Sequence, residues 1–174
     1  YDTKIIIMKT IIFLCGFCRS GKDYFADKLM NKELLDEYKL GDFPIHLDFS
    51  NCLRLSFAHQ LKLLFCQQNN IDITYLEENK EIYRYEMIKF AKEIRKYNDA
   101  YFAQHVLEKI KESDKKLILI TDLRFRIEYE TIVKVYDDIK VFQVERIGQV
   151  ASNESDFSFI NEINFPIQKI TYSL

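Results

Sequence analysis

Gly16, Gly21 and Lys22 stand in the run Gly16-Phe17-Cys18-Arg19-Ser20-Gly21-Lys22-Asp23, which fits the spacing G-x-x-x-x-G-K. The chemistry of that spacing is polyphosphate binding. Two glycines let the chain curl until successive N–H groups face inward as an anion nest, and a helix opening at Lys22 adds its positive end. Lys22 then sets an ammonium against the outer phosphates. The chain has only four glycines, and two of them occupy the two motif positions. At the eighth position, where a hydroxyl usually binds Mg²⁺, stands Asp23, whose carboxylate can bind the metal or a metal-bound water. Cys15 and Cys18 in the same stretch also read as C-x-x-C, the pattern of a dithiol oxidoreductase.

A second chemical element is Leu117-Ile118-Leu119-Ile120-Thr121-Asp122. An aspartate at the C-terminal end of a buried parallel strand faces the ligand edge of its sheet, where it holds Mg²⁺ or its water. Arg124 follows within reach of the same edge, whereas Arg126 and Glu128 are expected to pair with surface neighbours. Five cations are dispersed ahead of that strand: Arg54, Lys62, Lys80, Arg84 and Arg95. Arg84 and Arg95 lie eleven residues apart, three helical turns, and share a face if their helix is unbroken. Such a set suits an acceptor that already carries a phosphate, because arginine grips phosphate bidentately and offsets repulsion between two anions. His46, His59 and His105 are scattered, and the four cysteines lack the paired spacing of a zinc site.

These residues need a frame that brings the loop after one strand beside the end of another. Thr10–Leu14 reads as a buried strand and Lys22–Met30 as a helix. Leu53–Phe57 is a second strand, followed by a helix over Ala58–Gln68 and a polar connection at 69–75. Leu76–Tyr97 is a long helical stretch with one break, and Ala100–Glu112 another helix. Leu117–Thr121, Val141–Val144 and Ile167–Tyr172 are strands, with a helix at Glu128–Tyr136. Strands with continuous apolar runs alternate with helices, the pattern of an α/β fold: a central parallel sheet covered on both faces.

The 174 residues allow one domain with a proper core, 48% of them apolar. Residues 1–7, ahead of Met8, are read as an upstream extension or cloning remnant, and 8–174 as one domain. Net charge is -2, so the chain is no nucleic-acid polycation. The apolar run Ile5–Leu14 is too short to span a bilayer, which takes about 20 residues. A reduced, cytoplasmic protein acting on a small molecule is expected, with no nucleic-acid polymer or membrane as partner.

The run Arg19-Ser20-Gly21-Lys22-Asp23 followed by Ala26-Asp27 closely resembles the P-loop of phage-type deoxynucleoside monophosphate kinases. Asp122-x-Arg124-Phe125-x-x-Glu128 and the ending Lys169-Ile170-Thr171 fit that family too. The related animal-type phosphomevalonate kinases share G-x-x-x-x-G-K-D, and Leu53-Arg54-Leu55-Ser56 and Lys80-x-x-x-Arg84-x-x-Met87-Ile88, through Glu93 and Arg95, resemble them at least as well. The resemblance implies a three-layer P-loop NTPase fold of the nucleoside monophosphate kinase type. It implies an ATP- and Mg²⁺-dependent kinase, with ATP phosphates at Gly16, Arg19, Ser20, Gly21, Lys22 and Asp23 and metal at Asp23 and Asp122. It places the acceptor at Arg54, Lys80, Arg84, Arg95 and Arg124, and Arg146 at the start of a lid over about 146–160. Lys22, Asp122 and Arg124 are the expected catalytic groups. Phe17, Cys18 and Phe125 replace basic residues common in phosphomevalonate kinases, and aromatics are abundant. A deoxynucleoside monophosphate is therefore the expected acceptor, with phosphomevalonate the alternative.

Overall fold

A computed structural model of the chain describes residues 8–149 and 167–173. Its first strand, β1 (Thr10–Cys15), is buried along nearly its whole length. Successive side chains of a strand point to opposite faces. Accordingly Ile11, Phe13 and Cys15 enter one core, and Ile12 and Leu14 the other. A strand covered on both sides cannot alternate with polar residues, which is why the sequence reads as an unbroken apolar run.

Helix α1 (Lys22–Met30) follows the glycine loop and buries Phe25, Ala26 and Leu29. A short strand β2 (Tyr38–Lys39) and a 3₁₀ turn (Phe49–Asn51) lead into β3 (Leu53–Leu55). Helices α2 (Phe57–Asn69), α3 (Ile73–Glu78), α4 (Lys80–Tyr97) and α5 (Tyr101–Glu112) come next. Strand β4 (Leu117–Ile120), helix α6 (Arg126–Val133) and strands β5 (Ile139–Arg146) and β6 (Gln168–Tyr172) complete the order.

The six strands form one sheet in the order β2-β6-β5-β1-β4-β3. Every pairing is parallel except β2 with β6. Helices α5 and α6 and the start of α2 cover one face around Ile118, Ile120, Val106 and Ile132, and α1 with the 38–52 segment covers the other around Phe43, Phe49 and Phe142. This is the expected three-layer α/β architecture of P-loop NTPases. A third, smaller cluster ties α2, α3 and α4 together through Phe65, Cys66 and Leu76, with Tyr83 and Phe90 edge-on to Phe65.

Several expected boundaries shift: the helix expected over Glu128–Tyr136 runs Arg126–Val133, and the strand expected over Val141–Val144 runs Ile139–Arg146. The strand expected over Leu53–Phe57 stops at Leu55, because Ser56 takes the N-cap position and Phe57 already belongs to α2. The connection at 69–75 is shorter than expected, since Asp72 caps α3 by accepting the Thr74 and Tyr75 N–H groups. The break within Leu76–Tyr97 falls at Asn79, leaving α4 unbroken from Lys80 to Tyr97. No helix among the described residues is long and apolar enough to cross a membrane.

Candidate active site

Because β3, β4, β1 and β5 run parallel, their C-terminal ends share one edge of the sheet. The chain leaving β1 at that edge has β4 on one side and β5 on the other, the switch point where open α/β sheets bind ligands. The glycine loop lies there. Gly16 has φ +151° and Gly21 φ +84°, and Arg19 between them is left-handed at φ +62°. Alternation of this kind turns successive N–H groups into one concavity. Neither glycine has room for a side chain. A Cβ at Gly16 would lie 2.5 Å from the Val144 carbonyl oxygen, and one at Gly21 would lie 2.3 Å from the Tyr172 hydroxyl.

Lys22 folds over this loop and donates from Nζ to the carbonyls of Gly16 (2.7 Å) and Phe17 (2.9 Å). Burial lowers its pKa, and the positive charge of Arg124 lowers it further, against the pull of Asp23, Cys15 and Cys18. Ser20 is 1% exposed, and its hydroxyl has no hydrogen-bond partner among the described residues. An inward nest, an ammonium held against carbonyls and an orphaned buried hydroxyl fit a polyphosphate.

Asp122 follows β4 at the same edge, as expected, and it is already engaged. Its Oδ1 accepts the Phe57 N–H (2.8 Å), and its Oδ2 accepts the Ser56 hydroxyl (2.8 Å) and the Ala58 N–H (2.9 Å). Asp122 thus caps α2 from across the sheet. A carboxylate has about four lone-pair sites, so three bonds leave room for one more donor or a metal-bound water. Asp23 is exposed and pairs with Arg54 at 2.8 Å.

The dispersed cations do not all stand together. Arg54 is held by Asp23 and Asp27 of α1, beside the loop. Arg84 and Arg95 do occupy one unbroken helix, Arg84 reaching the glycine loop and Arg95 the turn after β4. Arg84 donates to the Cys18 sulfur (3.4 Å) and pairs with Glu81 (2.9 Å), while Arg95 lies 4.2 Å over the Phe125 ring and 5.1 Å over Phe102. Arg19 reaches Glu81 at 3.7 Å across solvent, a weak contact. Lys80 is exposed at the first position of α4. Lys62 instead pairs with Glu77 (2.5 Å) and ties α2 to α3, away from the loop. Arg124 is exposed, and its guanidinium has no ion pair among the described residues. Arg146 ends β5 beside Tyr172, whose hydroxyl packs against Gly21, so it too stands near the loop. The lid expected to follow Arg146 falls largely on residues 150–160, outside the described residues.

Glu128 corrects the expectation of surface pairing. It is 4% exposed, and its Oε2 accepts the backbone N–H groups of Arg124 (2.9 Å) and Phe125 (3.0 Å). Burial first, then the negative charge of Asp122, pushes its pKa up to about 8 against those two N–H groups and Arg95. The cue in the sequence was a glutamate at the third position of a helix, which reaches back to the orphan N–H groups of the cap. Arg126 does keep a surface partner, Glu130 at 3.8 Å. Other contacts that sequence reading missed are the Phe125 platform under Arg95 and the Gln149 amide, which donates to the Cys18 carbonyl at 2.7 Å.

The dithiol alternative fares poorly. Cys15 is fully buried, its thiol donates to the Phe142 carbonyl, and burial pushes its pKa up to about 12. An attacking thiolate needs the opposite environment.

The arrangement is a cradle whose geometry suits phosphate, with cations around it, at the switch point of a parallel sheet. A search of curated proteins finds no match. Residues 14–138, from the end of β1 through α6, match the family model described as phosphomevalonate kinase. By that match over most of its length, the chain belongs to the phosphomevalonate kinase family, ATP- and Mg²⁺-dependent kinases whose acceptor bears a phosphate.

Proposed function

We propose that this chain transfers the γ-phosphoryl group of ATP to the phosphate of phosphomevalonate, giving diphosphomevalonate and ADP. The family match carries this reading, because it spans the acceptor helices α2 to α4 as well as the cradle. Many of the aromatic residues that favoured a nucleobase acceptor are spent elsewhere. Phe25, Phe43, Phe57, Phe65 and Phe102 are core residues. The exposed Phe125 ring already carries Arg95 on one face.

The chemistry asks little covalent work of the protein. An oxygen of the acceptor phosphate is already a nucleophile near neutral pH, so no general base is required. It bonds to the γ-phosphorus as the bridging β,γ oxygen leaves with ADP. What the chain supplies is position and charge. The nest from Gly16 to Gly21 holds the donor phosphates, with Arg19 and Ser20 at its rim and floor. Lys22 and Arg124 stabilise charge on the transferring group, and Arg84 and Arg95 grip the acceptor from α4. Arg54, fixed by two aspartates of α1, and Lys80 border the acceptor side. Asp23 and Asp122 would hold Mg²⁺ through bound water, and the metal supplies charge neutralisation at the phosphates.

The test is ADP release with MgATP against phosphomevalonate and each deoxynucleoside monophosphate. Turnover with phosphomevalonate and none with the nucleotides is expected. Turnover with a nucleotide alone would reverse the assignment.

A further inference from the structure

No other carboxylate among the described residues is buried as Glu128 is. It does not touch the phosphate cradle. Its two hydrogen bonds go to the backbone of the turn between β4 and α6, at Arg124 and Phe125. These N–H groups precede the helix and have no carbonyl of its ladder to bond. The side chains above those bonded amides both belong to the site. Arg124 stands exposed with its charge felt at Lys22, and Phe125 is the ring on which Arg95 rests. Glu128 also faces Arg95 electrostatically, so the turn is held by the carboxylate beneath it and the guanidinium over its ring.

We propose that Glu128 is a positioning residue for phosphoryl transfer, fixing through two backbone hydrogen bonds the turn that presents Arg124 beside Lys22 and seats Phe125 under Arg95. It touches neither substrate. The inference rests on the kinase reading above, in which Arg124 and Arg95 face the two phosphates.

The requirement is for an acceptor oxygen at the reach of a glutamyl side chain, and not for a charge. Glutamine offers that oxygen at the same reach. Aspartate keeps the carboxyl group but is one methylene short of both N–H groups. The experiment compares Glu128→Asp, Glu128→Gln, Arg124→Ala and the double variant Glu128→Asp/Arg124→Ala, each confirmed folded by circular dichroism. Two quantities are read: kcat/KM with MgATP and phosphomevalonate, and the affinity for the magnesium complex of a non-hydrolysable ATP analogue by calorimetry.

Glu128→Asp is expected to lose about tenfold in kcat/KM, and Glu128→Gln to recover most of that loss. In the Arg124→Ala background the Asp substitution should cost less than about twofold, because the group it positions is gone. A role in helix stability alone would lower the melting temperature and leave this coupling absent. Equal loss in the Asp and Gln variants, or an Asp loss undiminished without Arg124, overturns the inference. A wild-type chain inactive on phosphomevalonate counts against the acceptor assignment instead. The same cycle is then read in the affinity for the analogue, where absence of coupling between the two positions overturns the inference.

Discussion

Asp122 caps α2 and, in the proposed function, also holds Mg²⁺ through bound water, and replacing it by asparagine separates these two demands. In the folded chain both carboxylate oxygens accept hydrogen bonds, one from Phe57 N–H and the other from Ser56 Oγ–H and Ala58 N–H. Asparagine offers one acceptor oxygen and an NH₂ group. With the oxygen toward Phe57, the NH₂ opposes the Ala58 N–H. Turned the other way, it opposes the Phe57 N–H. Either orientation loses a cap bond and removes a negative charge from the N-terminus of α2. Losing a cap costs roughly 0.5–2 kcal/mol, and losing the charge roughly 0.3–1 kcal/mol. A destabilisation of about 2 kcal/mol follows, which lowers Tm by about 4–8 °C for a domain of this size. Thermal unfolding followed by circular dichroism, without nucleotide or Mg²⁺, measures it. Ser56→Ala removes one donor and leaves both backbone bonds, so its Tm should fall by about half as much. An Asp122→Asn chain melting within about 1 °C of wild type would refute the cap as a source of stability. Turnover across a Mg²⁺ titration reads the other demand, where losing a well-placed charge costs about 2–4 kcal/mol at the transition state. A change of less than severalfold there would leave Asp122 a cap alone.

Three further outcomes are expected. Lys22→Met should abolish phosphoryl transfer and leave Tm nearly unchanged, since its ammonium bonds only two loop carbonyls; ADP release and a melting curve decide it, and near-normal turnover would remove the phosphate-cradle reading. Gly21→Ala should weaken ATP binding and destabilise the fold, with about 1–2 kcal/mol from the left-handed backbone alone, and adding Tyr172→Phe should recover only part, because the ring carbon would still lie 2.9 Å from the new methyl. Glu128→Gln should flatten the pH dependence of stability. The folded carboxyl, at about 8, holds its proton more tightly than the unfolded one at its ordinary 4.5, so Glu128 makes stability fall as pH rises across that window. Denaturant melts at pH 5 and pH 8 should show the wild type losing more than the variant, and parallel losses would refute the burial account.

The curled glycine loop and the order of the fold were legible in the chain itself, because both are local. A G-x-x-x-x-G-K run between an apolar strand and an amphipathic helix carries its own geometry, and α1 spans Lys22–Met30 as periodicity indicated. Continuous apolar strands imply a sheet covered on both faces wherever they occur. The eleven-residue spacing of Arg84 and Arg95 likewise put both on one side of α4 without any tertiary information. Charge pairing was not legible, because it depends on which elements meet. Asp122 is 66 residues from Ser56, and only the β3–β4 pairing brings its carboxylate to the start of α2. Glu128 reads as a surface acid by type, yet the packing of α6 against the sheet buries it under the Arg124 turn. The count of aromatic residues suggested a base-binding surface, while many of them, Phe13, Phe25 and Phe142 included, are buried in the two cores. Composition and period thus determined which elements exist and what ligand chemistry the loop spacing suits. Which cations remain free to meet that ligand was decided only by the fold, since an ion pair requires two side chains within a few ångströms and sequence distance does not measure that.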